Sequence, residues 1–599
     1  MAGQPFQTQR SITQVVRRHT PGSLMYIQEH DVYAMVTRIR GEPDVKVDRT
    51  RLHAQVQRFL ERWEEREGKL RNIAADIDLD DIVAIAPSGV DYELFPHTYR
   101  CANNECQVLY DGTDRDFPGK CRRCGGELRQ LPYVYYHRCG TLRYLAPPKS
   151  IFCPKHGRKE LYFHDTRRFT TSSWRCRACD YQQKFWFPPC PREECRQEEH
   201  PRFQGSFWND QWVHYGQAVN YINLDEHLAD RFTRNARGRG LLHLGVLGET
   251  GAGAKRLLHT LEDEGVTCPT CGRIVPHGMA FCGHCGTRLL SGLSSSDAAQ
   301  SPLIDTITNE SGRCAWSILR DMEASRSLRD EAAGRTAAGK PDDDPYRWGL
   351  DTAERVGVFD VVLVNDFPLT TAAIGYTREK SGPPAWLTAF DRIDERTPIY
   401  THSVNTEAWL VQLRAAAIAR WLIANDIAPF ARQLADIADD EHATKEWLIE
   451  RIARADATAN PADLQLRELV YGLIHSFSHV TLLSLAMRSG LDASSLGEMI
   501  LPDALGFVIY AGDSDLGALT TAFDQMTPII FASAIEDYAS CKFDPTCRTD
   551  DGGACVGCIQ LHRGCERFNE QLSRAYLFGG PTGTLAPGDI AHGYFAVAG

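Results

Sequence analysis

The chain contains no run of 18 or more consecutive apolar residues, so a hydrophobic helix spanning a bilayer is not expected. Its first 35 residues lack the apolar core and small-residue cleavage site of a secretory leader, and carry Arg10, Arg17, Arg18 and His19 beside Glu29 and Asp31. A cytoplasmic location without membrane attachment is therefore expected. No Gly-x-Ser-x-Gly nucleophile elbow occurs. The nearest approach to a phosphate loop, Gly248-Glu-Thr-Gly251-Ala-Gly253-Ala-Lys255-Arg256, has Ala between the last glycine and the lysine, and Arg256 where a magnesium-binding hydroxyl belongs. His475 and His479 share one helix face, but Ser476 stands where a zinc peptidase needs its glutamate. These absences remove the common signatures of serine hydrolases, ATPases and metallopeptidases, and the protein is read as a non-enzyme.

Cysteine, by contrast, is abundant. Of 20 cysteines, 19 fall at 101–195, 268–285 and 541–565, and ten form Cys-x-x-Cys pairs. Each such pair presents two thiolates to one tetrahedral ion from a single turn. In a reducing compartment disulfides do not persist, so this spacing points to structural zinc, about three to five sites. Cys101, Cys106, Cys121 and Cys124 make two knuckles, with Gly125 and Gly126 allowing the turn behind the second. Between 137 and 195 the pairing is ambiguous. Cys153, His156, Cys176 and Cys179 are the preferred set, leaving Cys139, Cys190, Cys195 and His137, and exchange of Cys139 with His156 stays open. Cys268, Cys271, Cys282 and Cys285 form the most compact pattern, that of a closed zinc ribbon. Cys314 stands alone and reads as a small buried residue.

With 599 residues and 43% apolar content the chain has material for three or four domains at about 150 residues each. The expected architecture is mixed α/β (α+β) and multidomain, with zinc-ribbon modules in the N-terminal half and an α/β C-terminal domain ending in a cysteine zinc cluster. The boundaries read as an N-terminal region over 1–99, a multi-zinc region over 100–200 and a connecting α/β segment over 201–264. A ribbon over 265–290, a linker or insertion over 291–350 and the C-terminal domain over 351–599 follow. Leu52, Val56, Phe59, Leu60 and Trp63 recur at helical spacing and predict a core-facing helix over 51–70. Pro87-Ser88-Gly89 predicts a turn. Residues 358–364 and 506–510 predict strands, 418–423 lies in a helix, and 464–485 predicts a helix buried all round. The run Asp342-Asp343-Asp344 is read as solvated rather than cation-binding.

The formal charge is −12, yet residues 101–200 carry 18 Lys and Arg against 12 Asp and Glu, a local +6. Arg167, Arg168 and Arg175 sit among Phe169 and Trp174, and Arg231, Arg234, Arg237 and Arg239 form a second basic stretch around Phe232. Such segments can follow a phosphate backbone and stack bases, or can be solvated surface.

Residues Ile374-Gly-Tyr-Thr-Arg378, Thr406-Glu407, His475 to His479, Glu498, the strand to Tyr510, and Cys555-Val-Gly-Cys558 to Cys565 occur in an order that resembles the zinc-binding domain found behind certain bacterial DNA helicases. With its cysteine-rich N-terminal half, the whole chain resembles the DrmB-type subunits of DISARM anti-phage systems. The resemblance implies a subunit that pairs with a separate helicase or ATPase as a heterodimer and binds DNA with it. It also implies that Cys541, Cys547, Cys555, Cys558 and Cys565 contain a zinc site, for which Cys547, Cys555, Cys558 and Cys565 are favoured. Two other readings stay open: a zinc-dependent hydrolase of nucleic acid or protein built on His475, His479 and Glu498, and a protein scaffold without DNA contact.

Overall fold

A computed structural model describes residues 6–8, 12–64, 73–74, 81–113, 117–145, 151–158, 160–166, 171–197, 201–223, 266–267, 270–271, 274–275, 285, 325–380, 382, 385–458, 460–512, 517–549, 552–561 and 564–598. The chain forms two compact units, one of residues 1–220 and 370–403, the other of 221–369 and 404–599. The break falls inside two long strands, Val358–Thr377 and Thr397–Leu413. Composition divides the chain at 351, but residues 370–403 belong with the N-terminal unit because strands change unit without any change in residue type.

In the first unit, Leu24–Ile27 and Val32–Pro43 form an antiparallel hairpin, and Val32–Pro43 pairs onward with Ile82–Leu94. The turn expected at Pro87-Ser88-Gly89 is instead a bulge within that strand. Arg40 pairs with Gly89 and Gly41 with Pro87, leaving Ser88 extra, and the Ser88 hydroxyl donates to the Arg40 carbonyl at 3.3 Å. The helix Arg49–Glu64 buries Leu52, Val56, Phe59, Leu60 and Trp63 as its spacing predicts, and the Trp63 indole donates to the Ala385 carbonyl. Three small three-stranded sheets follow. Thr98–Cys101 lies between Leu109–Asp111 and Leu128–Gln130, Tyr133–Tyr136 between Leu142–Tyr144 and Gln204–Phe207, and Ser173–Cys176 between Leu161–His164 and Gln182–Lys184. Their common core is aromatic, with Phe163 and Trp174 fully buried 5.2 Å apart, and Tyr133, Tyr135 and Phe203 around them.

In the second unit a linker or insertion was expected over 291–350, yet Leu328–Ala337 and Pro345–Arg355 are helices. The start signals are local. Ser327 accepts from the Asp330 amide, and Asp344, the last of the acidic run, accepts from the Tyr346 amide ahead of Pro345. Asp342 pairs with Arg347. Gly506–Ala511 pairs antiparallel with both Leu496–Leu501 and the Ala408 to Gln412 stretch of its neighbouring strand. Ala415–Ala424 is the helix expected around 418–423.

The 29-residue helix Pro461–Ser489 passes through the middle of this core, capped by Asn460 and ended by Gly490 at φ 74°. Among the described residues it alone is long and apolar enough to cross a membrane, and 94% of its apolar window is buried inside the protein. Its first turns are the exception to the expected burial, with Leu464 at 37% exposure and Gln465 and Glu468 also exposed.

Two residues of the family-like motifs have structural work. Arg378, 1% exposed, donates to the carbonyls of Gly140, Val213 and Gly22, tying three loops of the first unit. Glu407 accepts from the Leu519 and Thr520 amides and the Thr520 hydroxyl, capping the helix Ala518–Gln525 from outside.

Candidate metal centres

Among the described residues, four groups of cysteine-rich donors are assembled by turns that their own sequences encode. The first joins Cys101, Cys106, Cys121 and Cys124, with Sγ separations of 3.4 Å for Cys101 to Cys124 and 3.6 Å for Cys106 to Cys121. Four sulfurs about 2.3 Å from one tetrahedral zinc lie about 3.8 Å apart, so this spacing fits an ion with little movement. Gly125, at φ 73°, takes the left-handed turn that returns its amide to the Cys121 carbonyl. Tyr110 places its hydroxyl 3.3 Å from the Cys121 sulfur while accepting from the Arg122 amide.

The second group is His137, Cys139, Cys190 and Cys195, all buried, with Cys139 to Cys190 at 3.7 Å and Cys195 to His137 Nδ1 at 3.6 Å. The third is Cys153, His156, Cys176 and Cys179, where both Cys153 and Cys176 lie 3.6 Å from His156 Nδ1. The exchange of Cys139 with His156 that spacing leaves open is not made, because each histidine sits in the same turn as its own cysteine.

At the C-terminus the structure corrects the favoured set. Cys541, Cys547, Cys555 and Cys558 converge, at 3.6 Å for Cys541 to Cys555 and 3.7 Å for Cys547 to Cys558, and Cys565 is elsewhere. Gly564 explains the departure. At φ 88° it passes so close to the strand Leu496–Leu501 that a Cβ would stand 2.7 Å from the Leu496 carbonyl, and this path carries Cys565 to the long helix. Arg574, with a side chain 3% exposed, braces the quartet by pairing with Asp544 at 2.7 Å while Asp544 accepts from the Cys541 amide.

Burial and nearby donors set the ionisation of these thiols in opposite directions. Burial opposes ionisation and pushes the Cys101 thiol up to about 12. Burial also opposes the Cys121 thiolate, but the Tyr110 hydroxyl and the Cys124 and Arg123 amides outweigh it and bring that thiol down to about 6. Cys139 is brought to about 6 in the same way, burial being overcome by His137 and Thr141, and Cys153 to about 6 by the Lys155 and His156 amides. In the first two groups one readily formed thiolate thus sits beside thiols that burial pushes up, Cys101 and Cys106 in the first and Cys190 and Cys195 in the second. Residues Cys101, Cys106, Cys121, Cys124, Cys139, Cys153, His156, Cys176, Cys179, Cys190, Cys195, Cys541, Cys547, Cys555 and Cys558 can hold metal ions in this way.

Cys565 meets His475, His479 and Glu498, completing a buried polar node that the helical spacing of the histidines left without further members. Glu498 Oε1 lies 3.2 Å from His475 Nε2 and 3.0 Å from His479 Nε2, and Cys565 Sγ lies 3.3 Å from His475 Nε2. Burial would push the Glu498 carboxyl up, but the two imidazoles hold it well below the usual range, while burial pushes the His475 imidazolium down. The hydrolase reading groups Glu498 with the two histidines, and the strand Leu496–Leu501 carries it there; Cys565 is the member that reading lacks.

Other sequence-based candidates lie differently. Cys268, Cys282, Cys314, residues 248–256, and Arg167, Arg168, Arg231, Arg234, Arg237 and Arg239 lie outside the described residues; Cys271 and Cys285 are described singly. Arg175 lies on the strand Ser173–Cys176 and donates to the Ser173 hydroxyl. Three arginines that sequence reasoning passed over, Arg122, Arg123 and Arg158, are exposed along one cleft with Tyr110 and Trp174 in its lining, beside the first cysteine group. Their signal was present in the knuckle Cys121-Arg-Arg-Cys124 itself.

Residues 11–220 match a family model described as a domain of unknown function, DUF8724. The chain is also similar to the DISARM protein DrmB of Bacillus paralicheniformis, 23% identical over 217 residues, which is 33% of this chain and 34% of that protein. The chain thus matches about a third of the length of this curated relative.

Proposed function

We propose that this protein is a non-catalytic, metal-stapled subunit of an anti-phage defence complex that associates with a separate DNA helicase or ATPase and helps to hold DNA. The chain's relation to a DISARM protein supports the defence role, and the cysteine groups support metal binding. The observation that carries the DNA contact is the cleft of Arg122, Arg123 and Arg158, three exposed arginines next to a cysteine knuckle against one lining carboxylate, Glu160, which pairs with Arg123 at 2.9 Å. Metal there stiffens a short, core-poor module, since the binding free energy of such sites is folding free energy. Stiffened arginines meet phosphate oxygens with less ordering cost. Each described cysteine group supplies four protein donors, an arrangement that suits a staple rather than a site needing an open position for water.

Affinity capture of the full-length protein from its host tests the partnership, with a helicase or ATPase expected to co-purify. Duplex binding by the captured complex, measured against salt, tests the DNA contact. Replacing Arg122, Arg123 and Arg158 with Ala is expected to reduce the slope of log K against log salt by about 2 to 3, on the basis of roughly 0.9 per phosphate contact. An unchanged slope removes the cleft from the interface.

A further inference from the structure

We infer that His475, His479, Glu498 and Cys565 form a metal site of the second unit in addition to the Cys541–Cys558 quartet, closed by four protein donors and specific for a zinc-like divalent ion. This goes beyond the proposed function and does not depend on it. The tautomer of His479 is the first argument. Its Nδ1 lies 2.6 Å from the Ile559 carbonyl, which can only accept, so Nδ1 donates there and Nε2 faces Glu498 Oε1 at 3.0 Å. With Nδ1 already donating, a positive charge, on the ring or on an ion between them, is what reconciles Nε2 with the carboxylate oxygen.

The second argument is convergence. His475 Nε2 stands 3.2 Å from the same carboxylate oxygen and 3.3 Å from Cys565 Sγ, and all four donor atoms lie within 4.8 Å of one another. Bonds of about 2.0 to 2.3 Å in a tetrahedron place donors roughly 3.3 to 3.8 Å apart, so the four atoms already approximate the shell of an ion. Ring protons could fill the two imidazole–carboxylate contacts, but the added approach of a thiol to the same point supplies the fourth donor of a metal shell. Both histidines are 0% exposed and Glu498 2%, so bulk water does not solvate these three donors.

The third argument is the surrounding support. The Ile559 carbonyl orients His479, the Ser478 hydroxyl donates to the other oxygen of Glu498, and the Asn569 amide donates to Cys565 Sγ at 3.1 Å. Ligands in metal sites are held by outer hydrogen bonds of this kind. Two imidazoles, one carboxylate and one thiolate form a borderline donor set that suits zinc. The site would tie the helix Pro461–Ser489 to the strand Leu496–Leu501 and to the segment carrying Cys565. Ile559 directly follows Cys558 of the cysteine quartet, so one backbone segment serves both ions.

Counting metals by native mass spectrometry on the full-length protein tests this. Cys565→Ser and His479→Ala are each expected to lose one zinc per chain relative to wild type, with the remaining ions retained. A folded variant that keeps the wild-type count overturns the site. Should neither variant fold, cadmium-113 NMR on cadmium-exchanged wild type decides. One resonance well shielded from those of the thiolate-rich sites is expected, and its absence from a fully exchanged sample overturns the assignment.

Discussion

Removal of Arg574 is the sharpest perturbation of the C-terminal quartet that leaves every cysteine in place. Its guanidinium donates to the carbonyls of Gly553 at 3.0 Å, Ala539 at 3.2 Å and Tyr538 at 3.4 Å, and pairs with Asp544 at 2.7 Å. The side chain is 3% exposed and that of Asp544 is 21%, so water replaces few of these bonds. Breaking a buried ion pair from one side costs about 3 to 5 kcal/mol. Asp544 keeps Arg548 at 3.5 Å and the Cys541 amide at 2.9 Å, which places Arg574→Ala near 3 kcal/mol, the lower end of that range. If zinc leaves through a locally opened state, about 3 kcal/mol raises the opened population on the order of 100-fold. Release to a chromogenic chelator should therefore accelerate by that order in its slowest phase. Arg355→Ala, which breaks an exposed pair with Asp351, serves as the control and should change the rate no more than a few-fold. Equal release rates for Arg574→Ala and wild type would refute the view that this arginine braces the quartet.

Asp360 supplies a pH dependence unrelated to the metals. Burial pushes its carboxyl up to about 6, although the Ser327 hydroxyl and the Arg329 amide pull the other way. A carboxyl raised in the folded state contributes stability in full below its unfolded value near 3.9, and that contribution is lost as pH rises through about 6. Denaturant titrations of the second unit should thus weaken between about pH 4 and 6, by on the order of 3 kcal/mol, and Asp360→Asn should flatten that interval; a variant with the wild-type slope would show the carboxyl to be unshifted. In the first unit, Trp174→Ala empties the aromatic core between the small sheets, where Trp174 is 0% exposed against Phe163. A loss of about 3 to 5 kcal/mol is expected in denaturant unfolding of that unit, and a loss below about 1 kcal/mol would mean that metals alone hold the sheets.

The residues that sequence and structure agree on share one property, that their geometry is local. Cys121 with Cys124 and Cys176 with Cys179 meet through a single turn, and the stripe from Leu52 to Trp63 needs only helical periodicity. Ser327 and Asp344 were equally local signals of helix starts, but the charged, small-residue composition around them concealed two helices. The bulge at Ser88 was unreadable as such because Pro-Ser-Gly has the composition of a turn, and only the partner strand with Gly41 decides between turn and bulge.

By itself, then, the amino-acid order determined the half-sites: which thiols stand side by side, which helix would be buried, and which common catalytic signatures are missing. Tertiary structure alone decided which half-sites meet. Cys541 and Cys565 are equivalent as thiols in sequence, but the close passage of Gly564 past Leu496 sends one into the quartet and the other to His475. Glu498 faces both histidines only because the strand Leu496–Leu501 returns beside the helix Pro461–Ser489. Spacing constrains a chain over a turn or two, whereas contacts across a loop depend on the packing of everything between.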